Sequence, residues 1–337
     1  MLPSTPAKFL QDPELVQLPE AVVSQTRAYV KTIASMYNSN PFHSFEHASH
    51  VTMSITKLLS RVVTPDAIDY TNMTYTQRTK GAQEQHQFTY GIASDPLTQF
   101  AVAFSALIHD VDHQGVPNTV LVKEGTDLAK MYKNQSVAEQ NSVELAWALL
   151  MEPPYKDLRS YIYSTQEEMD RFRQLVVNAV MATDIIDKDL GALRKARWAK
   201  AFDDDDKKKR QEESPLVAVN RKATIVIEHL IQASDVAHTM QHWHVYLKWN
   251  KKLFMELYRA YKEGRSDTDP SIGWYKGEIG FFDFYLIPLA KKLESCGVFG
   301  VSSDEYLDYA TANRHEWVTK GQEIVKEYVE EAQKLYA

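Results

Sequence analysis

The chain has 337 residues, 44% of them hydrophobic, enough to bury a sizeable core, and 45 acidic side chains against 38 Lys and Arg give a formal net charge of −7. That balance excludes the clustered basic footprint that phosphate-backbone binding requires, so no nucleic-acid partner is expected. The single Cys296 excludes an internal disulfide framework and a thiolate metal cage; any metal must be held by nitrogen and oxygen, and a reducing, cytoplasmic setting is expected.

In chain order, apolar residues recur at helical spacing over 22–37, 47–62, 97–108, 137–151, 167–182, 223–237, 245–263 and 317–336, and strand alternation is scarce. An all-α, compact multi-helix fold follows. No segment is apolar enough to span a bilayer, and residues 1–10 lack the charged-then-apolar order of a secretion signal, so no membrane contact is expected of this chain. Residues 66–96 are polar and read as a surface excursion between two strong helices. Residues 203–213, with the block Asp203 to Arg210, read as a second, solvated surface loop. No repeat and no linker composition divides the chain, which predicts a single domain over 1–337.

The run His109-Asp110-Val111-Asp112-His113 closes the apolar segment 100–108. A carboxylate at a helix C-terminus opposes the dipole, and a cation would resolve the conflict. His109 and His113 are four apart and share a face if the helix continues, while Asp110, turned by roughly 100°, reaches a different edge. His43 and His47 repeat the spacing; Pro41 sets His47 inside the next helix and His43 before or at its first turn. Asp235 ends another apolar stretch, where a buried carboxylate needs a cation or several donors. By contrast His86, His229, His242, His244 and His315 read as surface or hydrogen-bonded residues. Imidazole with carboxylate suits zinc, manganese, iron or magnesium and points to hydrolysis, most naturally of a phosphoester. A phosphate-binding glycine loop, an HExxH helix and a nucleophile elbow are all missing from the sequence.

The motifs PFHSFEHASHV, HDVDHQGVPN, SVAEQ, MATD, ASDVA, GEIGFFDFYLIPL and NRHEW occur in the order found in class I cyclic-nucleotide phosphodiesterase catalytic domains, which the chain resembles over about residues 22–330. The resemblance implies an HD-type metal-dependent phosphohydrolase that cleaves 3′,5′-cyclic nucleotides to 5′-monophosphates with a hydroxide held between two metals. It assigns His47, His109, Asp110 and Asp235 to a Zn2+, and Asp110 also to a second ion, Mg2+ or Mn2+, whose waters are steadied by His113, Glu139 and Thr183. It makes His43 the general acid, with Glu139 either keeping that imidazole charged or bonding the metal waters. Phe281 and Leu253, with Ile279 beside them, would hold the purine. Members are commonly C-terminal domains of longer proteins, so fusion to regulatory or membrane domains and a homodimer are expected possibilities.

The chain departs from the family pattern at several places. Glu278 stands where a glutamine usually reads the purine edge; an ionised carboxylate only accepts, which leans the pocket towards the N1 donor of guanine. His238 replaces an asparagine near the base or ribose, His50 an aspartate, Ser44 an asparagine, and residues 140–142 a common histidine pair. Two alternatives stand beside the cyclic-nucleotide enzyme: an HD-type hydrolase of noncyclic nucleotides, which needs no acid at His43, and a catalytically silent cyclic-nucleotide sensor.

Overall fold

The computed structural model describes residues 17–63, 73–202, 214–299 and 304–336, which form helices and contain no strand. In chain order these are α1 (Glu20–Ser35), α2 (Phe45–Arg61), α3 (Tyr75–Phe88), α4 (Pro96–Ile108), α5 (Asn118–Lys123), α6 (Asp127–Met131), α7 (Val137–Met151), α8 (Lys156–Ile162), α9 (Gln166–Met181), α10 (Lys188–Phe202), α11 (Pro215–Asp235), α12 (Trp243–Lys262), α13 (Trp274–Phe281), α14 (Ile287–Ser295) and α15 (Asp304–Leu335). No described helix is long and apolar enough to cross a membrane.

Helix α4 organises the packing. One side joins Val102 and Ala106 to Val51, Ile55 and Leu58 of α2, Val226 and Leu230 of α11, and Trp317 of α15. The other joins Phe104 and Ile108 to Tyr29 and Ile33 of α1, Ala146 and Leu150 of α7, and Phe172 and Val176 of α9. Burial on both sides explains why its sequence is apolar nearly all round.

The stretch 66–96, expected as a surface loop, carries α3 instead, started by a capping box between Thr74 and Gln77. Its periodicity is faint because only Gly81, Ala82 and His86 of this helix are buried. The rest of that expectation (66–72), and the expected loop 203–213, lie outside the described residues.

Between α13 and α14 the segment Phe282–Leu286 is a single π-turn, with the Ile287 N–H bonded back to the Phe282 carbonyl. Pro288 lacks an N–H and its ring would strike the carbonyl four residues earlier, so the widened turn accommodates it without breaking the rod. The result stacks the rings of Phe281 and Tyr285, 5.3 Å apart and 9° from parallel.

Candidate active site

Four of the expected ligands come from three helix ends. His47 is the third residue of α2, whose cap Ser44 accepts its N–H; His109 and Asp110 follow α4 directly; Asp235 is the last residue of α11. His47 Nε2 lies 3.0 Å from Asp235 Oδ1 and 3.8 Å from Asp110 Oδ2, and His109 Nε2 lies 3.2 Å from Asp110 Oδ2 and 3.3 Å from Asp235 Oδ1. A tetrahedral cation with bonds of roughly 2.0–2.1 Å sets its donors about 3.3 Å apart, so these separations match the edges of one coordination shell. His109 Nδ1 donates to the Ala106 carbonyl at 2.9 Å and turns its other nitrogen to the cluster. That Nε2 and Asp110 Oδ2 are buried without a hydrogen-bond partner, as expected of groups built to face an ion. Burial disfavours a charged His109, yet the two carboxylates override it and hold the imidazole well above its ordinary value. Burial likewise opposes the ionised Asp235, which its histidine neighbours hold well below the usual carboxylate range.

The helix does not continue through His113, so His109 and His113 do not share a face. α4 ends at Ile108 and Asp112 sits at φ +60°, held there by amides of Asn38 (3.1 Å), Asn141 (3.0 Å) and Gln114 (3.0 Å), while its N–H donates to the Met36 carbonyl. The turn swings His113 onto His43, with ring centroids 3.7 Å apart and 25° between planes.

His43 precedes α2 and bonds through Nδ1 to Glu256 Oε1. Glu256 is fully buried, and its other oxygen accepts the N–H groups of Phe42 (2.9 Å) and His43 (3.0 Å). Burial works against a charged His43, but Glu256 outweighs it and raises the imidazole to about 9. Against the same burial, the charge and ring hydrogen bond of His43, with the Phe42 N–H, lower Glu256 to about 2. His113, desolvated and facing the charged His43, falls to about 4 and stays neutral. The carboxylate on His43 is therefore Glu256 and not Glu139.

These groups open into a cleft of about 550 Å³. Glu139 lines it, accepting from Asn118 at 2.8 Å, and burial followed by the charge of Asp184 pushes its carboxyl up to about 7. Asp184 accepts from the Ser136 hydroxyl at 2.7 Å. Thr183 lines the same wall with its hydroxyl turned to the Val180 carbonyl. Phe281, Leu253 and His238 also border the cleft. Glu278 borders an adjoining hollow of about 320 Å³ that shares Pro117 and Leu257 with it, and Ile279 lines neither, packing against the core. Glu278 Oε2 accepts the Tyr246 hydroxyl at 2.7 Å, Asn250 donates to Tyr246 at 3.4 Å, and Trp274 donates to Asn250 at 3.1 Å.

Sequence reasoning missed Glu256, Asn118, Asp184 and Ser136. The last three lie inside motifs that were singled out; Glu256 left only a faint trace, an acid within Phe254-Met255-Glu256-Leu257 on an otherwise apolar face.

A family model described as 3′,5′-cyclic nucleotide phosphodiesterase matches residues 42–298. The 3′,5′-cyclic-AMP phosphodiesterase, isoform F, of Drosophila melanogaster is 27% identical over 271 residues, 77% of this chain and 36% of that protein. The cGMP-specific 3′,5′-cGMP phosphodiesterase 3 of Dictyostelium discoideum is 21% identical over 301 residues, 87% of this chain and 55% of that protein. The chain spans between about a fifth and about half of the length of the curated relatives it matches. Among solved structures, the phosphodiesterase domain of Salpingoeca rosetta rhodopsin phosphodiesterase superposes with a TM-score of 0.65 at 22% identity, covering 94% of this chain and 87% of that one.

Proposed function

Because the chain belongs to the 3′,5′-cyclic nucleotide phosphodiesterase family, we propose that it hydrolyses a 3′,5′-cyclic nucleotide to the 5′-monophosphate in this cleft. The observation that carries the reading is a charged imidazole, His43 on buried Glu256, beside four donors spaced for one cation. In this reading His47, His109, Asp110 and Asp235 hold a Zn2+. Asp110 would also serve a Mg2+ or Mn2+, with His113, Glu139 and Thr183 placed to steady the water around it. When bound, the ions lower the pKa of water and neutralise charge on the phosphoryl oxygens.

The chain's own residues supply the proton. Nδ1 of His43 is committed to Glu256, which leaves Nε2 to donate. As a hydroxide, its parent water having lost a proton to solvent, bonds through oxygen to phosphorus, the bond from phosphorus to O3′ breaks and His43 Nε2 protonates O3′, which departs as a hydroxyl instead of a costly alkoxide. Phe281 and Leu253 hold the purine between them, with Ile279 behind and His238 towards the ribose. Glu278, in the adjoining hollow, would read the purine edge from there. The indole of Trp274 can only donate, so Asn250 accepts there and donates to Tyr246, and Tyr246 must donate to Glu278 Oε2. In this reading the Glu278 carboxylate, ionised, takes the N1 donor of guanine, which favours cyclic GMP.

One catalytic domain over the whole chain, further regulatory or membrane domains in the full-length protein, a homodimer and a cytosolic location belong to the same proposal. Incubation with cyclic AMP and cyclic GMP, with and without chelator, tests it: chelator-sensitive release of 5′-monophosphate is expected. Binding without product would favour a silent sensor, and a His43→Ala variant with undiminished activity on noncyclic nucleotides would favour the other hydrolase.

A further inference from the structure

Two loops must meet for the acid to face the cation donors: residues 39–43 bring His43, and residues 109–115 bring His109, Asp110 and His113. One amide joins them. The Asn40 side-chain nitrogen donates to the His43 carbonyl at 3.1 Å and to the His113 carbonyl at 2.7 Å, which uses both of its hydrogens. Its oxygen accepts from Arg259 at 2.7 Å, and the same guanidinium donates to the Ser39 carbonyl at 3.2 Å. The amide cannot turn over, because the flipped form would aim its oxygen at two carbonyl oxygens and its nitrogen at a cation. Space for the contact depends on Gly115: a Cβ there would lie 2.8 Å from Asn40 Oδ1 and 2.9 Å from the Arg259 guanidinium. Arg259 stands one turn along α12 from Glu256, so a single helix holds the His43 ring through Glu256 and the His43 loop through Arg259 and Asn40.

We infer that Asn40, oriented by Arg259, is a positioning residue that fixes the His43 imidazole against His113 and so aims its proton at the leaving oxygen. The inference rests on the reading of His43 as the acid. Asn38 ties the same linker to the second loop only, through Asp112 Oδ1 at 3.1 Å and the His113 carbonyl at 3.0 Å, and leaves His43 untouched. Among the described residues Asn40 alone bonds through its side chain to both of the backbones that carry the stacked rings. An error of about 1 Å in such a geometry costs on the order of a hundredfold in rate.

Asn40→Asp separates this role from plain loop anchoring. It keeps the shape and strengthens the link to Arg259, but it removes both donors and sets a carboxylate against two carbonyls. Turnover of the metal-loaded enzyme is measured on a cyclic nucleotide and on bis(p-nitrophenyl) phosphate, whose leaving group departs without protonation. Asn40→Asp is expected to lower kcat for the cyclic nucleotide about ten- to hundredfold at little-changed KM, and to alter aryl diester turnover less than about twofold. A ring-to-ring nuclear Overhauser contact between His43 and His113, present in the wild type, is expected to vanish in the variant, and it reads the positioning even where turnover is lost. Equal losses on both substrates, or an Asn40→Asp enzyme with wild-type turnover and an intact ring contact, overturns the inference. If instead wild type and His43→Ala hydrolyse the cyclic nucleotide equally well, the acid reading itself falls and takes the inference with it.

Discussion

Replacing Glu256 with Gln removes the charge that keeps His43 protonated while leaving the volume of the side chain intact. The amide oxygen would keep the Phe42 and His43 N–H donors, 2.9 and 3.0 Å from the present carboxylate, and its NH2 would then face His43 Nδ1. An NH2 can only donate, so Nδ1 must accept and the ring becomes neutral. Wild-type His43 is raised to about 9, with Glu256 the largest influence overriding burial; without that carboxylate only the charges of Asp110 and Asp235 oppose burial, and it falls back towards its ordinary 6.5. That difference of about 2.5 units corresponds to roughly 3.4 kcal/mol between the two protonation states. At pH near 8 the charged fraction would fall from about 0.9 to about 0.03, a loss of roughly thirtyfold in kcat/KM that shrinks towards nothing below pH of about 6. The assay is kcat/KM for the cyclic nucleotide against pH at fixed metal. An alkaline limb that stays in place in the variant would refute the assignment of Glu256 as the group that charges the acid. Stability carries the same signature. A raised His43 contributes below pH 6.5 and loses that contribution as pH rises through about 9; a lowered Glu256 contributes above pH 4.5 and loses it as pH falls through about 2. The wild type should therefore exceed the variant in stability most between about pH 4.5 and 6.5.

Chelation is expected to lower the melting temperature and abolish turnover together, because His109 Nε2 and Asp110 Oδ2 lose the ion they face; metal at about a thousand times its Kd contributes roughly 4 kcal/mol, readable by calorimetry. Asp235→Asn should bind less zinc by elemental analysis and leave the helical circular dichroism unchanged. Burial pushes Glu278 up to about 7, so the ratio of cyclic GMP to cyclic AMP turnover should rise as pH climbs through that value, and Glu278→Gln should remove the pH dependence of the ratio. An unchanged ratio in Glu278→Gln counts against a purine-edge role. Phe172→Ala, at a fully buried ring between α4, α7 and α9, should cost about 3–5 kcal/mol in denaturant titration without moving KM.

The sequence made legible those helices whose burial is one-sided or complete: 137–151 coincides with α7, and 97–108 and 167–182 lie within one residue of α4 and α9. It concealed α10 and the first half of α15, where polar residues surround few buried positions such as Trp198, Ala201, Tyr306 and Ala310. Periodicity reports a partner face, and these segments turn little of their surface inward. The candidate site divides in the same way. Histidines and aspartates at the ends of apolar runs announced themselves, because a charge there has no other reason to exist. Glu256 and Asn40 did not, since each acts through long-range partners, 213 and 73 residues away, that only the folded chain brings into reach.

The placement of the site follows from what the helices leave unsatisfied. α4 and α11 both end in the cleft, and each presents the negative end of its dipole where Asp110 and Asp235 stand, so two carboxylates and two helix C-termini gather around His109, whose Nε2 lies 3.2 Å from one carboxylate and 3.3 Å from the other. In the ion-free chain His109 offsets this by holding its proton against the cost of burial. A dication brings more charge to the same point and needs no proton, so it would displace that proton and couple metal uptake to pH. α12 makes the opposite arrangement: Glu256 lies mid-helix, far from either dipole end, with one oxygen on the His43 ring and the other on the Phe42 and His43 N–H groups. The fold thus keeps one carboxylate for a proton held until the leaving oxygen takes it and two for a proton that a cation displaces, and the distinction follows from whether each acid sits within a helix or at its C-terminal end.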